Sequence, residues 1–314
     1  ERARTALGHL LAGLVRDADG GWTADDLPAL EAGGTVACYR ILVAAAAIET
    51  GRVSGEWPPA EGEVGDALER VGEAYPGWLF AADADHPGAR VLAETELHPQ
   101  DRNAAVRALS RLGGDDTRTG VPLGTVHERL LGVEAVSVDD PTDPLLGGDE
   151  WAGPPVELVA ADDRKDGGAY YTPPDVVEGV VETALSPTLD RIRAGEVGTN
   201  EGVPEVRVLD PAVGTGRFLV SAVEALTAAV ARRREDDSGP KLHDEDAIRR
   251  GIAEGWVYGV DVDPLAVELA RANLWVHTGG DPGGNLRVGD ALLGPGPDAS
   301  ARGERESGVG GAAA

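Results

Sequence analysis

The sequence predicts an α/β protein: the first half of a doubly wound parallel sheet, preceded by a mainly helical region. Three observations predict it. A short β-branched run, Val206-Arg207-Val208-Leu209, enters a glycine-rich turn and then helical spacing from Arg217 to about Arg234. A second run, Trp256 to Val260, is followed by helical spacing from Pro264 to Val276. Leu286 to Val288 forms a third, short run. Strand, helix, strand, helix, strand at these lengths means parallel pairing with helical crossovers. In such sheets ligands sit outside the carboxyl ends of the strands.

Upstream, a helix is expected from Pro174 to about Arg193, with proline in its first turn. Residues 1–136 form the helical region. Helical apolar spacing runs over Thr35–Thr50, Asp101–Leu112 and Val121–Leu131, with Gly/Pro-rich breaks between. Residues 137–168 hold seven Pro and Gly positions from Pro141 to Pro155 and many acids, which predicts a linker. Residues 169–293 carry the α/β pattern, with Arg232–Asp246 as a charged, solvated insertion. Residues 294–314 are Gly, Ala, Pro and charge, so a disordered tail with no core strand is expected.

Composition narrows the function. Hydrophobic residues make up 42% of the 314 residues, which excludes wholesale disorder. Asp plus Glu number 55 against 28 Lys plus Arg, a net charge of −27, and the only lysines are Lys165 and Lys241. Acid-rich, Lys-poor chains of this kind look halophilic. At 1 M salt the screening length is about 3 Å, so the charge does not exclude a nucleic-acid partner there; at low salt it would oppose one. The lone Cys38 rules out an intrachain disulfide and a cysteine-built metal site. The six histidines lack ligand spacing, so no metal is expected. No apolar run reaches the roughly 18–20 residues of a membrane span. Val36–Ile48, interrupted by Arg40, reads as a buried Ala-rich helix, and a cytoplasmic protein without a membrane partner is expected. Met is absent and Glu stands first, which predicts a processed chain or, preferably, a fragment.

The chemistry concentrates in Asp210-Pro-Ala-Val-Gly-Thr-Gly-Arg-Phe-Leu219, where a strand meets a helix. Gly214 and Gly216 let the backbone turn tightly and approach a ligand. A dinucleotide fingerprint wants a third glycine where Leu219 stands, and its acid about 20 residues on. The next strand-end acid, Asp261, lies 45 residues after Gly216, an excess the charged insertion could account for. The leading Asp210 would repel a diphosphate but suits an amino group or a sulfonium. Asp261, in Tyr258-Gly-Val-Asp261, can accept ribose hydroxyls. Asp290, in Val288-Gly-Asp290, can accept from an adenine amine. Each of these two also suits a plain helix cap. Arg164 to Pro174, with Tyr170-Tyr171-Thr172-Pro173, feeds a helix N-terminus that favours a carboxylate. Together the groups suit S-adenosylmethionine. Phe218 reads as packing, and His127 as structural.

In this order the motifs resemble the N6-adenine DNA methyltransferases of fused restriction–modification and phage-defence systems. Gly168-Ala-Tyr-Tyr-Thr-Pro173 resembles their first cofactor motif and Asp210–Leu219 their glycine loop. Tyr258–Asp261, with Ala266 to Leu274 behind it, resembles the ribose motif, and Gly289-Asp290 the adenine motif. Leu123–Leu131 resembles an upstream helical segment, with His127 where tyrosine is usual. The resemblance covers about Pro122 to Leu293. It implies a partial Rossmann-like methyltransferase sheet that binds S-adenosylmethionine through Tyr171, Thr172, Pro173, Asp210, Pro211, Ala212, Gly214, Gly216, Asp261 and Asp290.

It also implies methyl transfer to adenine N6 in DNA. The family's catalytic Asn/Asp/Ser-Pro-Pro-aromatic motif does not occur after Asp290, so no catalytic residue is assigned in this chain. DNA contact is expected through regions outside these 314 residues, carried by the missing continuation or a second polypeptide. Two alternatives stay open: a non-catalytic cofactor-binding remnant or subunit, and a methyltransferase acting on protein or RNA.

Overall fold

A computed structural model describes residues 1–16, 22–110, 123–138, 155–161, 172–197, 199–200, 203–204, 206–236 and 245–295. The chain divides into two units, Glu1–Tyr171 and Thr172–Ala314.

The first unit holds helices α1 (Arg2–Arg16), α2 (Leu27–Glu49), α3 (Val64–Ala74), α4 (Pro87–Glu94), α5 (Pro99–Ser110) and α6 (Leu123–Leu131). Helix α1 repeats Ala3, Ala6-Leu7, Leu10-Leu11 and Leu14, a helical apolar stripe whose members are all buried. Helix α2 starts eight residues before the expected Thr35, through Gly33-Gly34. Two glycines weaken an isolated helix by about 1 kcal/mol each. Here they bring neighbours close: a Cβ at Gly33 would lie 2.8 Å from Val91 and one at Gly34 2.9 Å from Leu7. Helix α2 is long and apolar enough to cross a membrane, but 72% of its most apolar window is buried in the protein, as in a core helix. The Tyr39 hydroxyl and His127 Nδ1 share a buried hydrogen bond of 2.8 Å that ties α2 to α6, so His127 is structural.

The region expected as a linker contributes a strand. β2 (Val156–Ala160) pairs antiparallel with β1 (Val133–Ser137), burying Val156, Leu158 and Ala135. The alternation in Val-Glu-Leu-Val-Ala is the strand signal that the surrounding Pro, Gly and acids hid.

The closest backbone approach described is at Gly88, in the first turn of α4. A Cβ there would lie 2.2 Å from the Ala32 carbonyl oxygen and 2.5 Å from its carbon. Backbone cannot swing aside, so Gly88→Ala must push α4 off α2. Overpacking of this kind costs about 3 kcal/mol. Hydrogen exchange of α2 and α4 amides should accelerate accordingly, with the second unit unchanged.

The second unit opens with α7 (Pro174–Arg193), followed by a two-residue hairpin, β3 (Thr199–Asn200) and β4 (Val203–Pro204). Its main sheet has the order β5-β6-β7-β8. β5 (Val208–Asp210), β6 (Val257–Asp261) and β7 (Leu286–Asp290) are parallel, and β8 (Gly294–Pro295) is antiparallel to β7. Between the strands run α8 (Arg217–Asp236), α9 (Glu245–Gly255) and α10 (Pro264–Thr278). Their inner faces, including Leu219, Val223, Ile248, Ile252 and Leu274, pack with Val257 and Leu286 into one core.

Three details differ from expectation. Helix α9 begins in the last two residues of the presumed charged insertion and fills the stretch behind it, for which no element is expected, because Ile248, Ile252 and Ala253 supply a buried stripe within a charged run. β8 lies at the start of the presumed tail; residues 296–314 lie outside the described ones. β5 starts two residues later than expected and ends one later, and among the described residues it stands at the edge of the sheet, with Leu209 62% exposed.

On the helical face, Glu224 accepts from Arg249 Nε at 2.7 Å and lies 3.0 Å from His277 Nε2. The hydrogen bond from His277, then those of Arg249, outweigh burial and hold Glu224 down to about 2. A depressed carboxylate stabilises the fold above its unfolded value of 4.5 and loses that contribution as pH falls towards 2. Its side chain is 42% exposed, so screening limits the effect to on the order of 1 kcal/mol. Glu224→Gln should flatten the stability-versus-pH curve across that window in denaturant titrations.

Candidate functional site

Asp210, Asp261 and Asp290 are the last residues of β5, β6 and β7. The strands are adjacent and parallel, so three carboxylates lie along one carboxyl edge of the sheet.

The loop after β5 is fastened from below. Val213 N donates to the Val260 carbonyl at 2.9 Å, and Gly214 N donates to Asp261 Oδ2 at 2.8 Å. Asn273 of α10 donates to the Thr215 carbonyl at 2.6 Å. The glycines have separate reasons. Gly214 (φ +50°) faces open space where a Cβ would stand. Gly216 (φ +82°) presses on α10, where a Cβ would come within 3.0 Å of Ala270. Gly259, inside β6, leaves room for Val213: a Cβ there would approach it to 2.8 Å.

Each carboxylate is partly engaged. Asp261 Oδ1 accepts from Asp263 N at 3.0 Å while its Oδ2 holds the glycine loop. The cap of α10 is Asp263, which accepts from Leu265 N, so Asp261 is not the helix cap. Asp290 Oδ1 accepts from Leu292 N and Leu293 N at 2.8 and 3.2 Å, closing a turn. Asp210 Oδ1 accepts from Ala212 N at 3.1 Å. Its Oδ2 is buried with no partner among the described residues. Burial raises the Asp210 pKa, the Ala212 N–H partly offsets this, and the Asp261 charge raises it further.

A buried, unpartnered carboxylate oxygen calls for a donor, since an unsatisfied buried acceptor costs about 1–3 kcal/mol. Beside it lies the open cradle at Gly214. A ligand that carries an ammonium group and hydroxyls fits this set of acceptors.

The expected first motif is only partly described. Tyr171 lies outside the described residues, while Thr172 is half-buried and Pro173 exposed. Pro173 stands just before α7, with its carbonyl accepting from Val176 N and Val177 N at 3.1 Å and no side chain capping the turn. Val177, one turn on, shares an apolar cluster with Phe218 and Val208. The start of α7 is thus brought to the glycine-loop end of the sheet, and Phe218 packs as expected. Pro211 and Ala212 are exposed on the turn. Sequence reasoning did not single out Asn273 or the packing role of Gly259. A lone Asn in an apolar helix and a Gly inside a strand were the available signals.

Comparison with known proteins places these features. Residues 156–304 match the model of the family described as N-6 DNA Methylase. Over 157 positions the chain is 29% identical to a putative type II restriction enzyme and methyltransferase of Methanocaldococcus jannaschii, covering 38% of this chain and 13% of that protein. Over 211 positions it is 26% identical to the adenine-specific methyltransferase PglX of Streptomyces coelicolor, covering 64% of this chain and 15% of that protein. The chain therefore spans only a small part of the length of either relative. The matched stretch includes the three strand-end carboxylates and the glycine loop, in agreement with the resemblance carried by the motifs. Residues 156–304 of this chain are thus similar to the N-6 DNA methylase family, over the stretch that carries the site.

Proposed function

We propose that this chain builds the S-adenosylmethionine-binding half of a DNA adenine N6-methyltransferase, on a partial Rossmann-like sheet. One observation carries the reading: three carboxylates end three adjacent parallel strands, and the buried Oδ2 of Asp210 lacks a donor beside the open turn at Gly214. Asp210 would hold the methionine ammonium, Asp261 the ribose hydroxyls and Asp290 the adenine amine. The turn at Pro211, Ala212, Gly214 and Gly216 would pass beneath the cofactor. Tyr171, Thr172 and Pro173 would lead the uncapped start of α7 towards its carboxylate. When bound, S-adenosylmethionine supplies an activated methyl group on a sulfonium. The chain's own share is to fix the orientation of that methyl and to exclude water from one side of it.

Catalysis on the flipped adenine would fall to an Asn/Asp/Ser-Pro-Pro-aromatic motif, which these 314 residues do not contain after Asp290. We place it, with the DNA-recognition region, on the rest of the gene product or a second polypeptide. The outer edge of β5, which no described strand covers, supports that reading, because such an edge accepts a further strand. Both relatives are named as methyltransferases, one of them adenine-specific.

The test is the adenine methylation state of DNA in a host lacking its own adenine methylases. The gene product as the cell makes it should yield N6-methyladenine by mass spectrometry, and Asp261→Ala should abolish it. Methylation unaffected by Asp261→Ala, or methyl groups found only on protein or RNA, would overturn the proposal.

A further inference from the structure

The first unit carries a cleft of about 460 Å³ between α2, α3, the turn at Phe80 and the start of α5. Two guanidiniums line it, Arg40 and Arg102. Arg40 interrupts the apolar run of α2. Its Nε donates to the Leu79 carbonyl at 2.7 Å, and its guanidinium lies 5.8 Å from the centre of the Phe80 ring. Arg102 Nε is buried without a hydrogen-bond partner. Neither guanidinium pairs with a carboxylate among the described residues.

This is unusual for a chain with 55 acids and 28 bases. Other partly buried arginines are matched: Arg16 with Asp101, Arg249 with Glu224, Arg271 with Asp281. Burying an unpaired cation is costly, and burial alone pulls Arg40 down to about 10. Ile41, Leu68, Leu92 and the Phe80 ring give the cleft an apolar wall. Glu69, Glu73 and Glu96 sit exposed on the rim, where they repel larger polyanions such as nucleic acid. The volume falls within the usual small-molecule range of roughly 300–1,000 Å³.

We infer that this cleft binds a small organic anion, with its carboxylate or phosphate between Arg40 and Arg102 and its apolar or aromatic body against Phe80 and Leu68. The site is separate from the strand-end carboxylates, within a different unit of the chain.

Calorimetric titration with phenyl phosphate, benzoate and inorganic phosphate tests it. Phenyl phosphate or benzoate should bind at least tenfold more tightly than inorganic phosphate, because only they reach the apolar wall. Arg40→Lys keeps the charge but loses the planar fork, and should weaken binding severalfold. Arg102→Gln should weaken it at least tenfold with the helical circular-dichroism signal unchanged. Asp261→Ala should leave it intact. The proposal is overturned if no probe binds the folded wild type at millimolar concentration. It is equally overturned if Arg102→Gln binds as well as the wild type, or if Asp261→Ala removes the binding.

Discussion

Asp261→Ala is expected to weaken S-adenosylmethionine binding by about 100-fold or more, and to loosen the glycine loop even without ligand. The carboxylate acts twice. It would accept ribose hydroxyls, and it already accepts the Gly214 N–H at 2.8 Å and the Asp263 N–H at 3.0 Å. A hydrogen bond to a charged group contributes about 1.5–3 kcal/mol, and each 1.4 kcal/mol is tenfold in affinity. Loss of the clamp also frees a turn that the cofactor needs already formed. Hydrogen exchange at Gly214 should rise in the variant while amides in the middle of α10 stay protected. Asp261→Asn should fall between, since its amide oxygen can still accept from Gly214. Unchanged exchange at Gly214 would contradict the clamp, and unchanged affinity would contradict the ribose role.

Asp210→Asn is expected to bind S-adenosylmethionine at least tenfold more weakly at neutral pH and yet to fold more stably. The sign follows from burial. The free protein holds the Asp210 proton to a higher pH than an ordinary carboxylate, with burial the first cause. A raised carboxylate disfavours the folded state as pH rises through its folded value, so removing the charge stabilises. A bound ammonium favours the ionised form and drives the proton off. Affinity should therefore rise with pH through the raised value and then level, falling about tenfold per pH unit below it. The Asn variant loses that slope. A wild-type affinity that is flat across the acidic range would show that Asp210 does not face a cation.

Much of the second unit was legible because its signals are local. Gly214 and Gly216 sit where only a tight turn allows them, and Pro174 and Pro264 mark helix starts that the structure places at those residues. Strand ends were legible through their acids. What escaped depended on tertiary neighbours. The start of α2 at Leu27 runs through two glycines that look like a break until α1 and α4 pack on them. Helix α9 was hidden by charge, and β2 by the Pro/Gly-rich residues around it. Among the candidate site residues, the loop and the three strand-end carboxylates come together on one edge of the sheet. The part that sequence could not supply is who holds whom: that Asp261 reaches back 47 residues to Gly214, and that Asn273 fixes Thr215.

The most direct measurement is a calorimetric titration of S-adenosylmethionine into the wild-type protein in molar KCl, its helical content checked beforehand by circular dichroism. The account predicts one binding event per chain, accompanied by proton release when the titration is repeated near the Asp210 pKa in buffers of different ionisation enthalpy. A folded sample that takes up no S-adenosylmethionine, or one that binds it with no proton release at any acidic pH, would contradict the claim that these three strand-end carboxylates form its binding site.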